Sequence, residues 1–399
     1  MLTRILTSKT VAVLSSLLVL VVGIWLGGHP RYLPAPVADV LVGDEDRRVV
    51  GEGLDTIHDK YYRELGRDEL SNAALKGAVA DLEDRFSNYF SPSEYALFTK
   101  AINNQFSGIG TGVDEVPQGL RVLTVYAKSP AAKAGIRAGD IITAANGRKL
   151  AGLKSATAVA LIKGPEGTKV TLRLRRGSLT LVRRVTRGTV SIPVVASKIA
   201  SAGGQRVAYI RLTTFGPRTA HVEVARAIRK QRARGAKGIV LDLRANGGGL
   251  VSEAQLIASM FLDGGPIVKT KGRTEPTRTL SAKGDPLAGK LPAVVLVDGG
   301  TASASEIVAG ALQDRKRAKL VGVTTFGKGV YQQVTPLSNG GALDITVGQY
   351  FLPSGRNLGG PGVGRGSGLK PDVRIRDDPD TLRADEALDR ALAVIAKEL

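Results

Sequence analysis

The sequence predicts an α/β chain. It has a mainly parallel sheet in its C-terminal half, a smaller glycine-punctuated β insert before it, and a helical N-terminal segment. Three observations predict this. From Arg206 on, wholly apolar runs alternate with amphipathic stretches, as strands buried on both faces and joined by crossover helices would. From Phe106 to Arg187 the texture is short apolar runs broken by glycine and asparagine. From Asp44 to Asn104 apolar residues recur every three or four positions. The 399 residues suffice for two or three domains at about 150 each.

Composition narrows the chemistry. Lys and Arg number 56 against 36 Asp and Glu, a formal charge of +20. That balance favours anionic surroundings and says nothing about fold. Cysteine is absent, which excludes disulfides, thiolate zinc sites and cysteine nucleophiles. The three histidines, His29, His58 and His221, leave little for a histidine base or a histidine-rich metal site.

Residues 11–28 carry no charge and follow Arg4 and Lys9. Eighteen such residues approach the length of a bilayer-spanning helix, with the positive flank on the cytoplasmic side. The expectation is a single-pass anchor in the cell membrane over 1–28, with the rest extracytoplasmic; a cleaved signal segment, giving a secreted chain, is the competing reading. Pro30, Pro34 and Pro36 make 29–43 an extended tether. Export weakens a nucleic-acid reading of the charge, so no nucleic-acid partner is expected. Arg173, Arg175, Arg176, Arg183, Arg184 and Arg187 mostly alternate, as on the solvated face of a hairpin.

The helical segment spans 44–103. Val50, Leu54, Ile57, Leu65, Leu70, Leu75, Val79 and Leu82 give its period, Tyr61, Tyr62, Phe86, Tyr89 and Phe90 its aromatic packing. Ser91-Pro92-Ser93-Glu94 reads as a helix start. In the insert, 120–125, 141–144 and 170–174 read as strands and Asn146-Gly147 as a tight turn. Ser129-Pro130 starts a short helix that ends at Gly135. The succession SPAAKAGIRAGDII followed by Asn-Gly resembles the helix–turn–strand of a PDZ domain over 104–188, and Phe106-Ser107-Gly108-Ile109-Gly110 resembles its carboxylate-binding loop. Such glycines let consecutive backbone N–H groups face one carboxylate, while the next strand edge pairs with a peptide. In 189–399, strands are expected at 207–212, 238–243, 293–297 and 320–323, and helices at 220–234, 250–261, 303–314 and 381–399. Residues 353–371 read as loop.

Three pieces of this last region carry chemistry. Ser303 opens a helix after a buried strand, where unpaired N–H groups and the positive dipole end favour a developing oxyanion. Ala302 and Ala304 leave room beside it; Ser303-x-x-Glu306 also spells an ordinary capping box. Lys328 stands between Gly327 and Gly329 after another buried strand. In an apolar pocket its pKa would fall, fitting it as a general base, with Gln332 four residues on to orient it. A lone lysine is more often a surface charge. Asp242-Leu243-Arg244-Ala245-Asn246-Gly247-Gly248-Gly249 runs from a strand into a glycine loop at a sheet's C-terminal edge, without the Lys-Ser/Thr of a phosphate loop.

Together these pieces resemble the carboxy-terminal processing peptidases, or tail-specific proteases, over nearly the whole chain after the tether. Asp81–Tyr89, the D-L-R-x-N-x-G-G loop, Thr301-Ala302-Ser303-Ala304-Ser305-Glu306-Ile307, Phe326-Gly327-Lys328-Gly329 and Pro353-Ser354-Gly355-Arg356 carry the resemblance. It implies a crotonase/Clp-protease-like parallel-sheet core with the PDZ domain inserted. It also implies a serine endopeptidase of Ser–Lys type acting through an acyl-enzyme on unfolded polypeptides with free apolar C-termini. Ser303 would be the nucleophile, Lys328 the general base and Gln332 its orienting partner. The N–H groups of Ala304 and Gly248 would form the oxyanion hole. Self-association into a homo-oligomer is implied, and no metal or organic cofactor. Ser305 is the rival nucleophile; two helical steps from Ser303, it faces elsewhere. Gly247 stands where the family commonly has proline, Gln333 adjoins Gln332, and Lys163 reads either as a solvated lysine or as a contact to the site. The alternative is a catalytically silent, membrane-tethered PDZ scaffold that binds tails; the presence of both Ser303 and Lys328 at the family's spacing counts against it.

Overall fold

A computed structural model describes residues 16–23, 25, 45–284, 286–360, 363–376 and 385–399. The chain divides into two units, 1–81 and 82–399. The first holds helices α1 (Glu45–Lys60) and α2 (Arg67–Ala80). His58 Nδ1 meets the Leu65 carbonyl at 2.8 Å and Arg67 pairs with Asp55 at 2.7 Å, tying the turn between them. Among the described residues no helix is long and apolar enough to cross a membrane. The expected membrane anchor, membrane partner and single-pass localisation are corrected accordingly. Half of 11–28 and all of the 29–43 tether lie outside the described residues.

The second unit begins with β1 (Asn88–Phe90) and α3 (Pro92–Ile102). Glu94 receives the N–H and hydroxyl of Ser91, closing the start of α3. The glycine-rich insert follows: β2 (Gln105–Gly108), β3 (Thr111–Val116), β4 (Gly119–Val125), α4 (Pro130–Lys133), β5 (Ile141–Ala145), β6 (Arg148–Lys149), α5 (Ser155–Ile162), β7 (Lys169–Arg176), β8 (Leu179–Thr186) and β9 (Gly188–Ser191). Then come β10 (Val195–Ala202), β11 (Gln205–Leu212), α6 (Ala220–Ala233), β12 (Gly238–Asp242), α7 (Val251–Ala258), β13 (Pro266–Gly272) and β14 (Arg278–Ser281). The chain finishes with β15 (Ala293–Val297), α8 (Ala304–Asp314), β16 (Lys319–Gly322), β17 (Val330–Pro336), β18 (Ala342–Phe351), β19 (Val373–Arg374) and α9 (Glu386–Ala396).

The insert is a sheet in the order β3-β4-β5-β7-β8, with β6 on β5, around a core of Leu120, Val122, Ile142, Leu172 and Leu174. Arg173 and Arg175 alternate outward on β7 as expected, whereas Arg187 is buried, donating to the Ile162 and Lys169 carbonyls and the Thr168 hydroxyl. The C-terminal region carries a six-stranded sheet, β10-β11-β12-β15-β16-β19. Its central strands are apolar throughout because both faces are covered. Ile239 and Leu241 of β12 join the cluster packed with α6, α7 and α8, while Val240 joins the one packed with α9.

The expected fold class is corrected. A mainly parallel, crotonase/Clp-protease-like chain was the expectation, but the strand ladders are mostly antiparallel. Four are parallel, all within the six-stranded sheet. The other eleven are antiparallel. Much of the difference lies in a further sheet, β1-β18-β13-β14 with β17 on β18. Its strands read VYQQVTP, ALDITVGQYF and RTLS, half polar and only partly buried, so no apolar run announces them. Asn88–Phe90, expected within the helical segment, is likewise a strand, paired with β18. The last helix is shorter than expected, and 381–384 lie outside the described residues.

Candidate active site

Ser303 precedes α8 with φ +56° and ψ −118°, an unusual conformation for a residue with a Cβ and unlike the extended geometry of an ordinary N-cap. It persists because its surroundings over-determine it. Its N–H donates to Glu306 Oε2 at 2.9 Å, and its carbonyl accepts the Ile307 N–H at 2.9 Å. Ala304 is the first residue of α8, whose N–H has no acceptor within the helix. Gly248, at φ +102°, is packed so closely that an added Cβ would stand 2.8 Å from Ser303 Cβ and 2.9 Å from the Ala304 nitrogen. Only glycine fits there. The Gly248 N–H donates to Asn246 Oδ1 at 3.0 Å.

Asn246 fixes this loop from beneath. Fully buried, it donates to the Leu212 carbonyl at 2.8 Å, and its own carbonyl takes the Ala302 N–H and the Ser305 hydroxyl. Ser305 is therefore buried with its hydroxyl committed, while Ser303 lines an open cavity of about 370 Å³.

Lys328 lines the same cavity, with Gln332, Asp344, Gly247 and Gly249. Phe98, Ile102, Leu250, Val251 and Val334 supply apolar wall. The Lys328 Nζ donates to Gln332 Oε1 at 2.5 Å and stands 4.7 Å from the centre of the Phe86 ring. Gln332 Nε2 in turn donates to Thr346 Oγ1 at 2.8 Å. A register shift between Tyr331 and Gln332 re-aims the strand here, so Gln332 and not Gln333 meets the lysine. Burial pushes the Lys328 pKa down, while Asp344, Asp84 and Glu306 oppose that shift. Lys328 bonds to Gln332, and no hydrogen bond joins it to Ser303 in this state.

Glu306 is the group that reading the sequence as a capping box undervalued. Fully buried, it accepts not only the Ser303 N–H but also the Thr325 hydroxyl, the Gly327 N–H at 2.7 Å and the Lys328 N–H at 3.0 Å. One carboxylate thereby holds the starts of both site segments. Its burial pushes its pKa up, against the pull of those four donors. Asp84, Phe86 and Ser87 were given no site role, although they fall in the Asp81–Tyr89 segment that carries the resemblance. Asp84 accepts the Phe86 N–H and Ser87 hydroxyl at 2.9 and 2.6 Å, and Ser87 accepts the Thr346 N–H.

In the glycine-rich insert, Phe106, Ser107 and Gly108 lie in β2, paired with β9, and Ile109 and Gly110 turn into β3. The Ile109 and Gly110 carbonyls accept the Ala131 and Tyr126 N–H groups. The Ser107 hydroxyl donates to the Gly164 carbonyl at 2.9 Å. Among the described residues β3 pairs only with β4, which leaves its other edge open. Lys163, just past α5, is exposed. A hydroxyl at a helix start and an amine destabilised as an ammonium by burial, in one cavity, can carry nucleophilic acyl transfer.

Comparison with known proteins agrees with this chemistry. Residues 206–375 match the model of peptidase family S41, and residues 121–176 that of the PDZ domain. The chain is 33% identical over 334 residues to the carboxy-terminal processing protease CtpA of Bacillus subtilis, covering 83% of this chain and 69% of that one. It is 32% identical to a "Probable CtpA-like serine protease" of Staphylococcus haemolyticus, over 80% of this chain and 63% of that one. The chain thus spans about two thirds of the length of these curated relatives. A crystal structure of a "Putative S41 protease" from Bacteroides fragilis shares its fold, with a TM-score of 0.52 at 20% identity, covering 85% of this chain and 92% of that one.

Proposed function

The chain belongs to the carboxy-terminal processing proteases of peptidase family S41, and on that premise we propose how its residues carry out the reaction. It is a serine-type endopeptidase whose PDZ domain recognises C-termini. In our reading residues 104–188 form the PDZ domain and 189–399 the protease. Ser303 is the nucleophile and Lys328 the general base. Ser303 Oγ attacks the scissile carbonyl carbon while neutral Lys328 Nζ takes its proton. The oxyanion is met by the Ala304 N–H and by the Gly248 N–H, which exchanges its bond to Asn246 Oδ1 for one to the substrate. Collapse expels the new amine, which recovers the proton from Lys328 and leaves an ester on Ser303. Water then attacks that ester, again giving its proton to Lys328, and Ser303 is regenerated.

Gln332 orients Lys328 throughout, and the Phe86 ring face steadies the transient ammonium. At the PDZ domain the substrate's free apolar C-terminus sits at Phe106–Gly110 and its chain adds to the open edge of β3.

The observation that carries this reading is the shared cavity. It joins a serine held at φ +56° before a helix to a lysine whose burial favours the free amine. The test incubates the full chain with an unfolded polypeptide ending in a free apolar C-terminus and reads products by mass spectrometry. Cleavage by the wild type and none by Ser303→Ala is expected. Tail binding without cleavage by either would make the chain a silent scaffold.

A further inference from the structure

The cavity holds one carboxylate that the reaction does not use. Asp344 lies on β18 opposite Val334 of β17 and Asn88 of β1, two cross-strand pairs along from Gln332 and Thr346. Its carboxylate is half-buried and accepts no hydrogen bond from any described residue. The neighbouring carboxylate differs: Asp84 has the Phe86 N–H and the Ser87 and Thr346 hydroxyls. Asp84 is thereby part of the scaffold, and Asp344 is a charge without a hydrogen-bonding partner.

Burial pushes the Asp344 pKa up, the Lys328 ammonium pulls it down, and Asp84 adds repulsion. These are the charged groups acting on it among the described residues. When Lys328 gives up its proton to work as a base, Asp344 loses that one cation. A carboxylate withdrawn from water and left unpaired is costly, so the site is most complementary to a substrate that brings its own positive charge. The apolar wall of Phe98, Ile102 and Val334 suits the methylene stem behind such a charge.

We propose that Asp344 is a specificity-determining residue that receives a substrate lysine or arginine side chain flanking the scissile bond. The proposal rests on the cleavage reaction given above and names the substrate chemistry of that same cavity. A basic side chain there also offsets the negative charge that helps hold the proton on Lys328, so it speeds the acylation step as well as binding.

The test uses unstructured polypeptides that share one apolar free C-terminus and carry Lys, Leu or Glu at each position around a single cleavage site. Cleavage sites and rates are read by mass spectrometry, and affinities by fluorescence anisotropy with the Ser303→Ala chain. The wild type is expected to favour Lys over Leu at one position by about tenfold, and to disfavour Glu. Asp344→Asn is expected to erase that preference while still cleaving the Leu polypeptide, and to move the acid limb of kcat to lower pH. A merely structural aspartate would leave both unmoved. Asp344→Lys is expected to turn the preference toward Glu. Equal handling of Lys and Leu by the wild type overturns the proposal whatever the variants do. If the wild type cleaves nothing, the reaction itself is refuted, while the anisotropy arm still decides whether Asp344 selects a cation.

Discussion

Glu306 shows how one buried carboxylate organises two distant segments. Its four donors come from Ser303 and from the loop 325–328, so the serine and the lysine are registered through a single group. Glu306→Ala leaves those donors without their acceptor, each costing about 1–3 kcal/mol where it stays buried. Both a lower melting temperature and a kcat reduced at least tenfold are expected; Glu306→Gln, which keeps one acceptor oxygen, should recover part of the stability. At the glycine loop, Gly247 has open space where a Cβ would stand, whereas at Gly248 a Cβ meets Ser303 and the Ala304 nitrogen. Gly247→Ala should therefore retain turnover and Gly248→Ala should abolish it in the same assay. Because burial lowers the Lys328 pKa, the active amine form grows as pH rises through that depressed value, and a kcat profile should climb on its acid side and vanish in Lys328→Ala. Ser303, Lys328 and Gln332 were singled out because their segments together resemble one family; taken singly, the serine reads as a capping box and the lysine as a surface charge. Asp84 and Asp344 were not, since nothing local says that segments 260 residues apart meet at one lysine.

Elements were legible where burial is two-sided. The apolar runs at β12 and β15 announce themselves, while β17 and β18 alternate and stay half-exposed, so their polar half hid them. Two charge pairs fasten elements and can be tested. Arg244 bonds both oxygens of Asp242, at the end of β12, and both oxygens of Asp385, which caps α9. Arg244→Ala leaves the fully buried Asp242 without its cation, held by the Tyr209 hydroxyl and the residue 244 N–H, and frees α9; a loss of roughly 3 kcal/mol is expected, reduced from a fully buried pair because Asp385 is partly open. Hydrogen exchange over 386–396 should rise with it. In the glycine-rich insert, burial acts to raise the Asp140 pKa, but bonds from Arg176 and the Arg137 N–H outweigh it and hold the carboxyl below its ordinary value. Asp140 therefore adds stability that is present above the ordinary aspartate range and is lost as pH falls through its lower folded value. Acid melting followed in the wild type and in Asp140→Asn should show the wild type losing more stability on acidification.

At the scale of the whole molecule, the proposed reaction puts capture and cleavage in separate parts of the chain, the β3 edge and the Ser303 cavity. A polypeptide whose C-terminal carboxylate is amidated should show a raised KM with kcat little changed, measured against its free-acid twin. The order of the parts was legible from texture alone, because glycine-broken strands and buried apolar runs differ in kind. The strand partnership that closes the protease part was not. β1 pairs with β18, Asn88 facing Asp344 across a separation of 256 residues. Chain synthesis gives that pairing a particular meaning. A nascent polypeptide already carries Ser303 and Lys328 when the ribosome reaches Thr346, yet until β18 emerges there is nothing to seat Gln332 from behind or to bring Phe86 under the amine. Long-range closure of this sort is slow and late. On the proposed mechanism, an unfinished copy is thus a protease with its cutting edge unassembled.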